Sequence, residues 1–276
     1  MTGDMSAFPE MVSAKRREKR SLLCVGLDPA LPGQRSRDLV SAKYLENRDE
    51  NEARLTFCLD IVELVAEYSC AFKPNLQYVL GWKGEDHRRL TSAIREAGAV
   101  SILDCKLGDI GDTIASALYH IRRWGYDAIT FNPLLGNLKD TVESAHRGER
   151  QLGMLVLTLT SNPEAVRYQK HATLEGAPLF LAIARDVRDF DADGCVVGAT
   201  HHVTEKDLQD VRSIVGNEKV FLIPGIGTQK GDLDKLSVAG ENVLVNVSRD
   251  IIYSENPRRR AEEYCRRMWE AFPRLR

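Results

Sequence analysis

No stretch of the chain approaches the roughly 20 apolar residues that a membrane span requires, and Met1 to Arg20 lacks the apolar segment of a secretory signal. There is no C-x-x-C pair. The six cysteines (Cys24, Cys58, Cys70, Cys105, Cys195 and Cys265) are scattered, most of them inside apolar runs, so reduced structural thiols in a cytoplasmic protein are expected. Charge of one sign is not in excess either. A net charge of −2 supplies no basic field for a nucleic acid, and an anionic ligand would have to be caught by local positive groups. No G-x-G-x-x-G follows the first strand-like run, which removes the dinucleotide fingerprint. Neither nucleic acid nor membrane is an expected partner.

What is there is a regular alternation. Short apolar, β-prone runs recur at Leu22–Leu27, Cys70–Lys73, Val100–Lys106, Ala128–Phe131, Gly153–Thr160, Gly194–Ala199, Val220–Ile223 and Val243–Val247. They are continuous rather than alternating, as parallel strands covered on both faces should be. Between them lie helical patterns: Cys58, Ile61, Val62 and Val65; Ile114, Ala117, Leu118 and Ile121; Ala261, Tyr264, Cys265 and Met268. Gly125 stands where a helix C-terminal glycine belongs. Eight strand–helix units with no break in composition predict a single (β/α)8 barrel with a parallel eight-stranded core. It is expected to span 1–276, with residues 1–20 as a helical N-terminal extension. The basic run Lys15-Arg16-Arg17-Glu18-Lys19-Arg20 reads as a solvated helix face. The long connection from Pro29 to about Asn51 reads as a surface excursion at one barrel mouth.

In such barrels the chemistry sits at the C-terminal ends of the strands. There the apolar runs end in charge: Asp28 after the first, Lys73 on the second, and Asp104, Lys106 and Asp109 on the third. Asp104 and Lys106 are two apart, so both side chains share one face; with Cys105 toward the helices, both point into the mouth. An unpaired buried charge is costly, so each needs a partner, and Lys73 and Asp109 are the candidates. A pair at 4 Å is worth roughly 4 kcal/mol at an effective dielectric near 20. The plainer alternative is a structural ion cluster with Asp109 as the cap of the next helix and Asp112 in its first turn.

The last two strands carry an anion site. A glycine-rich loop, Pro224-Gly225-Ile226-Gly227-Thr228-Gln229-Lys230-Gly231, follows the seventh run, and Asn246-Val247-Ser248-Arg249 places a guanidinium after the eighth. His201 and His202 follow the sixth run, but no carboxylate spacing around them suits a metal, so exposed loop histidines are expected. Trp82 and Trp124 read as packing residues.

At these residues the chain resembles the orotidine 5′-phosphate decarboxylase family, in what looks like its longer microbial form. The matching pieces are Val25-Gly26-Leu27-Asp28-Pro29, Phe72-Lys73-Pro74-Asn75, Asp104-x-Lys106-x-x-Asp109-Ile110 with Thr113, Thr160-Ser161-Asn162-Pro163, Val197-Gly198-Ala199-Thr200, Pro224-Gly225-Ile226-Gly227 with Gln229, and Ser248-Arg249. The resemblance implies conversion of orotidine 5′-phosphate to UMP and CO2 in pyrimidine biosynthesis, without metal or cofactor. It implies that Lys73, Asp104, Lys106 and Asp109 form a charged tetrad, Lys106 giving the proton to C6. Asp28 would bind ribose, Ser161 the pyrimidine, and Gln229 and Arg249, with Gly227 and Ser248 beside them, the phosphate. Asp109 and Thr113 would reach into the site of a neighbouring subunit, which implies a homodimer.

Rival readings remain at this point. A magnesium-dependent sugar-phosphate decarboxylase or aldolase on the same scaffold shares Asp104-x-Lys106-x-x-Asp109, but that class resembles this chain except at Lys73, where it carries an acid, and a lysine cannot ligate Mg²⁺. A non-catalytic phosphate binder would have no use for the tetrad. A Schiff-base aldolase using Lys106 is a third.

Overall fold

The computed structural model describes residues 7–148, 150–225 and 235–272. Strands β1 (Leu23–Leu27), β2 (Ala71–Pro74), β3 (Val100–Leu107), β4 (Ala128–Phe131) and β5 (Gly153–Leu159) are followed by a small hairpin of β6 (Thr173–Leu174) and β7 (Ala177–Pro178). Then come β8 (Gly194–Val197), β9 (Val220–Pro224) and β10 (Val243–Val247), while the helices before and between the strands include α1 (Ala7–Lys19), α2 (Ala42–Leu45), α3 (Glu50–Val65), α4 (Gly84–Glu96), α5 (Gly111–Trp124), α6 (Leu138–His146), α7 (Leu179–Asp189) and α8 (Glu205–Val215). All but the hairpin are parallel and close into a barrel in the order β1-β10-β9-β8-β5-β4-β3-β2. Each of the eight apolar runs is one of its staves.

The runs are continuous because each strand has two apolar faces. Leu23, Val25, Phe72, Leu103, Ile129, Phe131, Val156, Phe221 and Val245 pack outward into the helical layer. The alternate residues, Cys24, Ala71, Val100, Ile102, Ala128, Leu155, Val196, Leu222 and Leu244, fill the barrel interior. The same two-residue period carries Gly26, Lys73, Asp104, Thr130 and Asn246 inward one layer higher. The interior is therefore apolar below and polar at the C-terminal mouth.

The helices bury most of the faces their spacing predicted, with Ala117 and Cys265 only half-buried. In α3 (Glu50–Val65) these are Cys58, Ile61, Val62 and Val65, and the Asp49 side chain accepts the N–H groups of Asn51 and Glu52 at the entry. In α5 (Gly111–Trp124) they are Ile114, Leu118 and Ile121, and Gly125 ends the helix at φ 89°. The last helix, Pro257–Ala271, buries Ala261, Tyr264 and Met268. Trp82 and Trp124 pack around His87, which stacks on Trp124 at 4.2 Å. All six cysteines are free, and burial pushes the Cys70 thiol up to about 12.

Helix α1 (Ala7–Lys19) closes the N-terminal mouth, with Phe8 and Val12 inside the lower core. Gly153 makes room for it, since a Cβ there would lie 2.5 Å from the Phe8 ring. The basic run is not simply a solvated face, which corrects the reading from sequence. Arg16 is buried and donates to Asn242, and Lys19 donates to the carbonyls of Ala66 and Ala97 at 2.6 and 2.5 Å. The excursion after β1 does lie over the other mouth, anchored by buried Leu31, Val40 and Tyr44.

Candidate active site

Asp104 is the centre of the C-terminal mouth. Buried at the end of β3, it receives Lys73 Nζ on Oδ2 at 2.5 Å and Lys106 Nζ on Oδ1 at 2.7 Å. Burial alone would raise its pKa, but the two ammonium groups outweigh it and hold the carboxyl well below the usual range. Lys73 is buried too. Desolvation works against its charge, yet Asp104 and then Asp28 more than compensate, so it titrates above an ordinary lysine. Asp104 and Lys73 thus each hold the other's charge against the burial that opposes it.

Lys106 reaches Asp104 by an irregular route. Its φ is +48°, a left-handed backbone in a strand, and the pairing of β3 with β4 shifts register between Leu103 and Leu107. The two-residue spacing therefore brings the side chains together with the help of a bulge rather than by plain pleating. Cys105 packs against the outer, helical core as expected. The Lys106 side chain is half exposed, open to whatever enters the mouth.

Asp109 does not join this cluster within the chain, which corrects the expectation of four charges in contact. Its Oδ1 accepts the N–H of Ile110 at 2.8 Å, and its carbonyl accepts from Asn137. It is not the cap of α5 either; that position is Ile110, with no side-chain bond. Thr113, in the first turn of α5, is exposed.

Across the mouth, β1 and β10 present Asp28 and Ser248. The Ser248 hydroxyl donates to Asp28 Oδ2 at 2.5 Å, and Gly26 permits this closeness, since a Cβ there would lie 2.8 Å from Ser248 Cβ. Tyr253 steadies the turn, donating to the Asp28 carbonyl and accepting from the Ala30 N–H. A cavity of about 760 Å³ opens here, lined among others by Asp28, Arg37, Gly225, Asn246, Ser248 and Arg249. Arg249 begins a short helical turn, Arg249–Ile252, and is exposed toward that space. Ser161 lies against Gly198, where a Cβ would approach its own Cβ to 2.9 Å. A Cβ on Gly225, at φ +87°, would sit 3.8 Å from its hydroxyl and 3.5 Å from that of Thr200. Gly227 and Gln229 fall outside the described residues.

Several residues here carried no signal in the sequence. Thr130 Oγ1 donates to Asp104 Oδ1 at 3.0 Å and accepts the Lys106 N–H at 2.9 Å. Arg35, from the excursion, donates to Tyr78 Oη and stands 4.0 Å from Asp28. Of the paired histidines, His201 is exposed as expected, but both ring nitrogens of His202 are shut from solvent with no partner, so it is not a free loop histidine. Among the described residues no three His, Cys, Asp or Glu side chains gather as a metal site.

A closed eight-stranded barrel with a compensated Lys–Asp–Lys group at the C-terminal ends of its strands has the layout of a barrel enzyme. More narrowly, the chain belongs to the orotidine 5′-phosphate decarboxylase / HUMPS family, whose profile matches residues 21–264. It is 35% identical over 261 residues to an orotidine 5′-phosphate decarboxylase of Roseiflexus sp. (strain RS-1), covering 90% of this chain and 89% of that one. To the orotidine 5′-phosphate decarboxylase of Bordetella petrii it is 37% identical over 247 residues, 85% of each chain. The structure of Leishmania donovani OMP decarboxylase superposes with a TM-score of 0.75 at 28% identity, covering 96% of this chain and 98% of that one.

Proposed function

We propose that this chain decarboxylates orotidine 5′-phosphate to UMP through a metal- and cofactor-free site at the C-terminal mouth. The observation that carries the reading is Asp104 held between Lys73 and Lys106. Loss of CO2 breaks the bond from C6 of the pyrimidine to the carboxylate carbon and leaves the electron pair on C6, with little delocalisation. The barrier to be lowered lies near the top of the roughly 8–23 kcal/mol that enzymes manage. A fixed ammonium where that charge develops needs no reorganisation during the reaction. Lys106 supplies it, then gives its proton to C6. Lys73 holds Asp104 in place, Asp28 takes a ribose hydroxyl, Ser161 the base, and Arg249, with Ser248 and the loop of Gly227 and Gln229, the phosphate. Phosphate contacts far from C6 add transition-state stabilisation remotely.

The reading includes a homodimer with shared sites. Asp109 forms no ion pair among the described residues, Thr113 is exposed, and the neighbouring Ile110 is an exposed apolar side chain, as an edge shared with a second copy would leave them. Among the described residues no helix is long and apolar enough to cross a membrane; we place the protein in the cytoplasm.

Product analysis tests the activity: orotidine 5′-phosphate should yield UMP and CO2 in equal amounts, and turnover only of sugar phosphates would favour the magnesium-dependent rival. Mixing tests the shared site. Inactive Asp109→Ala and Lys106→Ala chains should complement, because one site of each mixed dimer draws a sound Lys106 from one chain and a sound Asp109 from the other. Random exchange makes half the dimers mixed, each with one good site, so about a quarter of full activity is expected under two-fold symmetry. Mixtures inert after verified exchange would show that Asp109 serves its own chain.

A further inference from the structure

We infer that Thr130 is a positioning residue for the reaction, its hydroxyl setting both the backbone of Lys106 and the carboxylate of Asp104; this rests on the decarboxylase reading above. Thr130 lies on β4, two residues after Ala128, which faces the lower core, so its side chain points inward at the level of the charges. It is 1% exposed. Its Oγ1 has two partners whose roles leave no ambiguity. The Lys106 N–H at 2.9 Å can only donate, and the ionised Asp104 Oδ1 at 3.0 Å can only accept. The hydroxyl therefore accepts from the first and gives its own proton to the second.

Both bonds act where the site is least self-supporting. Lys106 is a non-glycine residue at φ +48°, in a strand whose register with β4 slips at that point. Such a backbone persists only where its surroundings hold it. Among the described residues the hydrogen bond from its N–H goes to the Thr130 side chain, in place of the strand partner the bulge removes. The second bond fixes Asp104 Oδ1, the oxygen that Lys106 Nζ also holds at 2.7 Å, while Lys73 occupies Oδ2. One hydroxyl thus links the main chain of the proton donor to the oxygen against which its ammonium rests. Without it Lys106 could relax toward ordinary strand geometry, and its amine would leave the point where the carbanion forms. A displacement of about 1 Å at that point suffices for a loss near 100-fold.

A merely structural threonine would behave differently, and three substitutions separate the cases. Valine keeps the shape and the apolar contacts and removes the hydroxyl; serine keeps the hydroxyl and removes the methyl. Thr130→Val should lower kcat about 100-fold while UMP binding stays within about threefold, because the lost alignment concerns proton delivery rather than the bound ground state. Thr130→Ser should stay within about fivefold of wild type in kcat. If the valine variant does not fold, Thr130→Ala, which leaves room for solvent, should show the same split. Kcat within about threefold of wild type in Thr130→Val, or an equal loss in Thr130→Ser, overturns the proposal. A readout independent of turnover is acylation of the Lys106 amine followed by mass spectrometry. It should be faster in Thr130→Val than in wild type, and an unchanged rate argues against the role. A wild type inert toward orotidine 5′-phosphate would overturn the functional reading alone, and the acylation rate would still decide the role of Thr130.

Discussion

The two mouths of the barrel both hold buried charge and treat it in different ways. At the N-terminal mouth, each buried charge is fastened to backbone groups, whatever side chain it also meets. Arg212, buried on the inner face of α8 (Glu205–Val215), donates to the carbonyls of Ala239, Gly216 and Lys219 and lies 3.7 Å over the Phe221 ring. Asp193 accepts the Met154 N–H and faces His146, while Asp127 accepts both the N–H and the hydroxyl of Ser101 on Oδ2 and pairs with Arg150 through Oδ1. Each such group fastens a loop to the strand it precedes. At the C-terminal mouth, Lys73 and Lys106 both end on the Asp104 carboxylate, and the Lys106 side chain stays half exposed. Burial is common to both ends. What marks the working end is one buried carboxylate shared by two lysines, with a left-handed backbone beneath one of them and that lysine's side chain half exposed.

Substitutions at the two ends should therefore separate activity from stability. The largest effect is expected from Lys106→Ala: turnover down by at least about 10⁴-fold, with UMP affinity within about tenfold, because the ammonium matters most as the carbanion forms. Melting of this variant should stay close to wild type, since the side chain is half exposed. Arg249→Ala should instead weaken substrate and UMP alike in binding titrations, the phosphate being held in both states. Arg212→Ala should do the reverse of Lys106→Ala. It takes the guanidinium donor from the carbonyls of Ala239, Gly216, Lys219 and Asn242, so about 3 kcal/mol of stability should be lost in denaturant titrations, with kcat per folded molecule unchanged.

The smallest effect is a pH dependence away from both mouths. Burial pulls the His87 imidazole down to about 4, whereas a free histidine titrates near 6.5. Above pH 6.5 both states are neutral there. Between about 6.5 and 4 the unfolded chain takes up a proton that the native chain refuses, so stability falls with falling pH and the trend levels off below about 4. Wild type should lose about 2 kcal/mol more than His87→Phe across this window, read from melts at a series of pH values. Equal slopes would show that His87 does not titrate as its burial implies.

The barrel was legible in the sequence because a parallel strand packed on both faces leaves an unbroken apolar run, and each of the eight runs became a strand. Lys73, Asp104 and Lys106 were legible for the complementary reason: charge that interrupts such a run at its C-terminal end has to be paired. The rest was hidden by causes that can be named. Thr130 is β-branched and at home in any strand, so nothing distinguishes it from scaffold until its hydroxyl is seen between two charges. The left-handed backbone of Lys106 is a local dihedral that apolar periodicity does not encode, and lysine gives none of the warning a glycine would. Arg16 and Lys19 look like members of a solvated run, because their carbonyl and amide partners come from distant segments. The charges of Asp109 and Lys106 do not meet within one chain, so neither spacing nor this fold alone brings them together.

The most direct measurement is the loss of ultraviolet absorbance when orotidine 5′-phosphate is mixed with the protein in excess EDTA. If Lys73, Asp104 and Lys106 do the work without a metal, the substrate should be consumed at the same rate with and without chelator, and UMP should accumulate. No consumption, or consumption abolished by EDTA and restored by Mg²⁺, would contradict the claim and return the site to the magnesium-dependent class.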